Sequence, residues 1–296
     1  MGRDLFEGCA AARRLFETAD GVLGYSISEL CFQGPEERLQ DTLHAQPAIF
    51  TVSLACLEAA RELGGLGGGR PAFVAGHSLG EFAAAAAAGA IDFADGLRLV
   101  QERGRLMQQA AEQHPGAMAA ILGLDEAAVT DICREAGAEV CNMNAPGQVV
   151  IGGREHAVEA AMALALERGA QRGVRLRVSG GFHTSLMRPA AEGMARAVAA
   201  APLRDPDVPL IANTSAQPLT TVEALREELV QQLTHSVQWQ RSVEELRARG
   251  VDAVIEFGPG RVLTGLVRRI DRSIGVRNVS DLASARSQAK AAPAPP

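Results

Sequence analysis

The sequence predicts an α/β protein: a parallel-sheet domain interrupted by a small antiparallel insertion. Three observations carry this. Short apolar runs closed by glycine or proline alternate with longer stretches of helical periodicity through most of the chain. Between Gly116 and Val178 the order changes to βαββαβ, the order of a ferredoxin-like unit. Finally, Gly76-His77-Ser78-Leu79-Gly80 lies where a strand hands over to a helix, a turn that belongs to parallel α/β sheets.

The elements follow in order. Leu5, Ala12, Leu15, Phe16 and Ala19 recur at helical spacing, so the chain opens on a helix. Pro47 is expected to open a second apolar helix reaching about Leu63. The Gly64–Gly69 run lacks GxGxxG spacing and precedes a strand instead of following one, so it reads as a loop. Ala72–Ala75 is a short apolar strand between Gly69-Arg70-Pro71 and Gly76. A helix is expected from about Leu79 and another from about Phe93 to Glu112. The insertion then reads strand Ala117–Leu122, helix Asp125–Ala136 with Asp125 as N-cap, and strands Glu139–Met143 and Gln148–Ile151. It closes with helix Arg154–Arg168 and strand Val174–Val178. Beyond it come helix Ser185–Ala200, strand Val208–Asn213, and helices Val222–Leu233 and Val237–Arg249. Strand Ala253–Phe257 and helix Arg261–Ile270 complete the alternation. Residues 1–114 and 182–283 thus form a discontinuous large domain, 115–181 a small one, and 284–296, rich in Ala, Ser and Pro, a disordered tail or linker.

Composition narrows the function. The length of 296 residues suffices for about two domains. With 29 basic against 35 acidic side chains and a net charge of -6, the chain lacks the basic field of a general nucleic-acid binder. The longest apolar run, Ala83–Ile91, is too short to cross a bilayer, and Asp4 and Glu7 occupy positions where an export signal is cationic and then apolar. Five cysteines (Cys9, Cys31, Cys56, Cys133, Cys141) form no CxxC pair, which suits a reducing cytoplasm. Lys290 is the only lysine, so a Walker-type phosphate loop, a Schiff-base enzyme or a lysine base is excluded. HExxH, EF-hand and clustered Cys/His patterns are missing, and no metal or cofactor is expected.

The glycine-flanked Ser78 has the context of a nucleophile elbow, in which a tight strand-to-helix turn lifts a serine hydroxyl above the sheet edge. The start of the following helix offers N–H groups to an oxyanion. The plainer reading is a glycine turn with an incidental serine. A serine nucleophile needs a base, and the histidines are His44, His77, His114, His156, His183 and His235. His183 follows a strand and the Ser179-Gly180-Gly181 loop, at the edge where α/β sites assemble, although an exposed loop histidine would look the same. On the helix from Phe93, Arg98, Gln101, Glu102, Arg105 and Gln109 share a polar face, whereas Arg103 falls among Leu99, Val100, Leu106 and Met107. A guanidinium in an apolar stripe needs an anion, either a carboxylate of the protein or one of a ligand. Gln232 lies inward with Leu225 and Leu229 and needs a partner, a histidine or an ordinary helix–loop hydrogen bond.

Along the chain stand Gln46-Pro47-Ala48, Gly76-His77-Ser78-Leu79-Gly80-Glu81, Arg103-Gly104-Arg105-Leu106-Met107 and Gly116-Ala117-Met118-Ala119-Ala120. The series continues with Asn144-Ala145-Pro146-Gly147-Gln148, Phe182-His183, Val237-Gln238-Trp239 and Glu256-Phe257-Gly258-Pro259-Gly260. In this order the motifs resemble one family, the malonyl-CoA:acyl carrier protein transacylases of fatty-acid synthesis and the related acyltransferase domains of polyketide synthases. The resemblance runs to about Leu282 and implies an α/β-hydrolase-like large domain with a ferredoxin-like insertion. It implies a ping-pong reaction: malonyl-CoA acylates Ser78, which delivers the malonyl group to the phosphopantetheine thiol of acyl carrier protein. His183 would be the base, Gln232 would orient its imidazole through a carbonyl oxygen, and the Leu79 N–H would be an oxyanion donor. Arg103 would hold the malonyl carboxylate, with Phe182 as a malonyl-selective neighbour and His77 and Asn144 also lining the substrate. A cytoplasmic monomer is expected, with acyl carrier protein and malonyl-CoA as partners and neither nucleic acid nor membrane. Docking of the acidic carrier would use Arg268, Arg269 and Arg272, or Arg172, Arg175 and Arg177, although either cluster also reads as a solvated face.

The family also carries an N-terminal buried strand and a Gly-Gln-Gly-Ser-Gln loop that supplies a second oxyanion donor. This sequence, opening Met1-Gly2-Arg3, is expected to lack both, at a cost of about a hundred- to a thousandfold in rate. The competing readings are a serine hydrolase or thioesterase built on the same elbow, and an impaired remnant that binds carrier protein or CoA.

Overall fold

The structure, a computed structural model, describes residues 1–66, 69–178 and 180–291. Gly67 and Gly68 of the glycine run, Ser179 of the loop before His183, and 292–296 of the expected tail lie outside the described residues.

Helices open the chain: α1 (Arg3–Gly8), α2 (Ala10–Leu23), α3 (Ile27–Gln33), α4 (Glu36–Gln40) and α5 (Thr42–Glu62). The helix α5 starts at Thr42, with Asp41 as its cap, so Pro47 lies inside it and does not open it. Strand β1 (Val74–Ala75) leads through the elbow to α6 (Gly80–Ala87), and α7 (Phe93–Gln113) follows. The insertion is β2 (Ala117–Leu122), α8 (Glu126–Ala136), β3 (Glu139–Ala145), β4 (Gln148–Gly153), α9 (Glu155–Glu167) and β5 (Arg172–Arg175). Its antiparallel sheet has the order β3-β4-β2-β5, with the first strand central, as the βαββαβ reading requires. The last strand spans Arg172–Arg175, paired with Leu122–Ala119, and not Val174–Val178; a single further bond, from Leu176 N–H to the Met118 carbonyl at 2.9 Å, follows it.

The large domain resumes with a single 3-10 turn at Ser185–Met187, then α10 (Arg188–Ala200), β6 (Leu210–Ile211), β7 (Pro218–Leu219), α11 (Val222–Gln231) and α12 (Trp239–Ala248). Strand β8 (Ala253–Phe257), α13 (Val262–Ile270), β9 (Gly275–Val279) and α14 (Leu282–Ala291) complete the described chain. Its strands pair in parallel, β1 with β6 and β8 with β9, while β7 adds an antiparallel edge. The strands β7 and β9 have no sequence signal of their own: β7 is two residues long, and β9 carries Arg277 and Asn278 between its valines.

The expectation of an unstructured segment from Ser284 is corrected by α14. Alanine is the strongest helix former, and the prolines that suggested disorder fall at 293, 295 and 296, beyond the helix. Ser284 N–H donates to Asp281 Oδ1 at 2.7 Å, Ala285 is fully buried, and Gln288 Nε2 donates to the Gly65 carbonyl at 3.0 Å.

The main core joins the N-terminal helices to α6, α7, α10 and α11, and a separate core lies between the insertion's sheet and its helices. The two parts are tied at the site. Val237 N–H donates to the Cys141 carbonyl and Met143 N–H to that of Val237, at 2.8 and 2.9 Å. At the outer end of β3, the Glu139 carboxylate accepts from Ser185 N–H and from Ser185 Oγ at 2.6 Å, two residues past His183.

Candidate active site

Ser78 sits in the turn between β1 and α6 with φ of 52°, the left-handed strain expected of an elbow. Of the two flanking glycines, only one is demanded by sterics. A Cβ on Gly76 would lie 1.9 Å from the Gly80 carbonyl oxygen, whereas one on Gly80 would meet nothing within 4 Å. The Leu79 N–H has no hydrogen-bond partner among the described residues and is available at the head of α6.

Ser78 Oγ lies 2.8 Å from His183 Nε2. On the far side of the ring, Nδ1–H donates to the backbone carbonyl of Gln232 at 2.6 Å. A carbonyl only accepts, so this bond places the proton on Nδ1 and leaves the Nε2 lone pair for the serine proton. Burial, then the Arg103 charge, lowers the imidazole pKa to about 3, so the ring is neutral at physiological pH. His183 itself has φ of 59°, held by Thr184, whose Oγ1 donates to the Gly181 carbonyl at 2.6 Å. Of the remaining histidines, none bonds Ser78 among the described residues. His44 lies against Tyr25 and Arg38, and His235 caps the end of its own helix through Gln231.

Arg103 is 1% exposed. Its Nη1 donates to Gln46 Oε1 at 2.6 Å, and its Nη2 to Gln232 Oε1 at 2.8 Å and Ser78 Oγ at 3.0 Å. The guanidinium lies 5.5 Å from the centre of the Phe82 ring, and its Nε has no partner. Gly104 lets α7 approach the start of α5, since a Cβ there would come within 3.0 Å of the Thr42 carbonyl. That approach brings Gln46 to the arginine. No carboxylate among the described residues lies within ion-pair distance of Arg103, so the protein-carboxylate alternative does not hold. Burial lowers its pKa to about 10, which still leaves it charged at neutral pH.

His77 turns away from the serine, and its Nε2–H donates to Asn144 Oδ1 of the insertion at 2.8 Å, since an amide oxygen only accepts; burial lowers the pKa of the ring. Trp239 flanks it at 5.7 Å. Phe182 is half-buried between the main core and the Met118–Cys141–Val150 cluster, an apolar wall beside His183. Gln232 is fully buried, and it is its backbone carbonyl that holds His183 while the side chain serves Arg103.

Sequence reasoning missed four residues beneath the elbow. Gln46 accepts from Arg103, and Asn213 Oδ1 accepts from Ser78 N–H at 2.6 Å. Glu81 is fully buried and Glu228 is 5% exposed. The available signal was a carboxylate leading the otherwise apolar Phe82–Ala88 run, which needed a partner as Arg103 did.

A serine activated by a neutral histidine, beside a buried cation without a counter-ion, suits transfer of an acyl group that carries its own negative charge. The relatives agree with that chemistry. The chain is 45% identical over 286 residues to the malonyl CoA-acyl carrier protein transacylase of Bacillus subtilis, covering 95% of this chain and 89% of that protein. It is 45% identical over 274 residues to the protein of the same name from Escherichia coli K12, covering 91% and 88%. Among solved structures, a malonyl-transacylase in complex with its type II PKS acyl-carrier protein superposes with a TM-score of 0.94 at 39% identity, covering 98% of this chain and 94% of that one. The acyl transferase domain family matches residues 1–293, and the chain, whose elbow serine, histidine and buried arginine meet at one point, belongs to that family.

Proposed function

We propose that the protein moves a malonyl group from malonyl-CoA to the phosphopantetheine thiol of acyl carrier protein through an ester on Ser78. The observation that carries this is Arg103, buried, without a carboxylate partner, and 3.0 Å from Ser78 Oγ. An acyl chain bound as a serine ester places a second carboxyl, one carbon beyond the carbonyl, where the guanidinium supplies its counter-charge.

In the first half-reaction Ser78 Oγ attacks the thioester carbonyl while its proton passes to His183 Nε2. The Gln232 carbonyl stabilises the imidazolium through Nδ1–H, in the place of a triad carboxylate. The Leu79 N–H, at the positive end of α6, faces the developing oxyanion. Collapse expels the CoA thiolate, which takes the proton from His183. In the second half-reaction His183 receives the proton of the carrier's thiol, the sulfur attacks the ester carbonyl, and Ser78 Oγ leaves with that proton. His77 and Asn144, bonded across the two domains, and Phe182 shape the acyl pocket. These steps call on the chain's own side chains, the Gln232 carbonyl, the Leu79 N–H and the two thiols.

The carrier's acidic surface is met by Arg268, Arg269 and Arg272, which line a surface cavity of about 540 Å³ with Ile274 and Val276. The other arginine cluster is less available, since Arg175 is paired with Glu155 and Glu159. A cytoplasmic setting is supported by five free, buried cysteines, and no helix among the described residues is long and apolar enough to cross a membrane.

The test is intact-protein mass after brief incubation with malonyl-CoA. A malonyl adduct on the wild type and none on Ser78→Ala is expected. Absence of an adduct on folded wild-type protein overturns the proposal.

A further inference from the structure

Beneath the elbow lies a buried carboxyl pair that the reaction steps do not use. Glu81, fully buried at the start of α6, accepts through Oε1 from Asn213 N–H at 2.8 Å and from Asn213 Nδ2 at 3.0 Å. Its Oε2 accepts from Gln232 Nε2 at 2.5 Å. Glu228, on α11, accepts from Thr214 N–H at 2.9 Å and from Thr214 Oγ1, and its charge acts on Glu81. Neither carboxyl has a cation within ion-pair distance among the described residues. A carboxyl buried this fully, with the charge of a second carboxyl acting on it and no cation beside it, is driven toward its neutral form.

The consequence concerns two amides. A side-chain amide has a donor end and an acceptor end, and it turns its NH₂ toward whatever only accepts. The Glu81 oxygens take the NH₂ groups of both Gln232 and Asn213, which also reach the Ser78 and Gly76 carbonyls at 3.3 and 2.7 Å. The opposite ends are thereby fixed, Gln232 Oε1 on Arg103 Nη2 and Asn213 Oδ1 on Ser78 N–H. We propose that Glu81, through the hydrogen bonds it accepts from Gln232 and Asn213, is a positioning residue that sets the Gln232 amide, helps to set that of Asn213, and through them holds the Arg103 guanidinium and the Ser78 turn. Burial and the neighbouring Glu228 charge both favour the neutral form of Glu81. Neutrality matters for Arg103, because an ionised Glu81 would supply a competing negative charge beneath the guanidinium. The part concerning Arg103 rests on the reading of that residue as the holder of the acyl carboxylate.

In Glu81→Gln one of the two oxygens becomes an NH₂, which cannot accept from Gln232, and the Gln232 amide is released to turn. The test measures adduct formation from malonyl-CoA and from acetyl-CoA in wild type, Glu81→Gln and Arg103→Ala. Glu81→Gln is expected to lower the malonyl-over-acetyl preference about tenfold, the size of one lost hydrogen bond to a charged group. A merely structural role would lower the melting temperature and leave that ratio in place. Loss of the preference in Arg103→Ala with no change in Glu81→Gln overturns the Glu81 proposal alone. An unchanged ratio in Arg103→Ala overturns the malonyl reading instead. A measurement on wild-type protein needs no folded variant: its infrared spectrum at neutral pH should contain a carboxylic acid carbonyl band that moves when glutamate is labelled with carbon-13. Absence of that band overturns the part of the proposal concerning Arg103, which needs Glu81 neutral.

Discussion

At the scale of single residues, the site separates the charge that binds from the group that moves protons. Arg103 and His183 both lie against Ser78 Oγ, and burial, with the cation's charge added, keeps the imidazole neutral. The lowered pKa has a direction for activity and for stability. The unfolded chain, with an ordinary imidazole near 6.5, binds a proton more readily than the folded one does. The stability His183 contributes is complete above 6.5 and is lost as the pH falls from there toward about 3. Activity should follow: kcat/KM for acylation of Ser78 is expected to fall less than about threefold between pH 7 and pH 5, where an unperturbed imidazole would lose about thirtyfold. A pH profile of adduct formation with an acidic limb at 6.5 would refute this. At the same scale, Arg103→Ala should cost malonyl-CoA at least about a hundredfold in kcat/KM and acetyl-CoA far less, because it removes a buried charge pair from one substrate only. Rates with the two thioesters give the answer directly.

At the scale of elements, the elbow makes a sharper prediction than its sequence pattern. Both glycines of Gly-His-Ser-Leu-Gly read as steric needs, yet only Gly76 faces backbone within contact. Gly76→Ala is expected to destabilise the fold by more than about 3 kcal/mol, since neither backbone segment can yield. Gly80→Ala should change stability by less than about 1 kcal/mol, or raise it, because alanine is the better helix former. Chemical denaturation of the two variants compares them. The order of the insertion and the apolar face of α7 were legible because each is a local periodicity. Arg103 was legible for the same reason, as a charge at the wrong phase of a helix. The strand β9, the helix α14 and the Glu81–Asn213–Gln232 network were not. Each depends on partners far along the chain, such as the Gly65 carbonyl that receives Gln288 or the Ser78 N–H that Asn213 accepts. Composition alone misjudged α14, where the prolines beyond 292 coloured a stretch that is helical up to Ala291.

At the scale of the molecule, the two domains meet beside the elbow serine, where His77 bonds Asn144 and Val237 bonds Cys141. A net charge of -6 opposes an acidic carrier at long range, so docking depends on a local field. Arg268 and Arg269 end α13, where the helix C-terminus favours cations; both are exposed, and Arg269 reaches the Pro146 carbonyl and Gln148 Oε1 of the insertion at 3.2 and 3.4 Å without a carboxylate partner among the described residues. The cluster thus stands at the seam between the domains, on the same insertion that supplies Asn144 to His77. Reversing Arg268, Arg269 and Arg272 to Glu should therefore raise KM for carrier protein about tenfold or more while leaving Ser78 acylation by malonyl-CoA within about twofold. The effect should shrink as salt is added, because exposed charges separated by more than about 8 Å are screened at physiological ionic strength. Reversing Arg172, Arg175 and Arg177 is the matched control, with the same change in net charge, and Arg175 is already committed to Glu155 and Glu159. Equal losses from the two reversals would mean that net charge alone steers the carrier; a loss confined to the first places the docking surface at the domain seam.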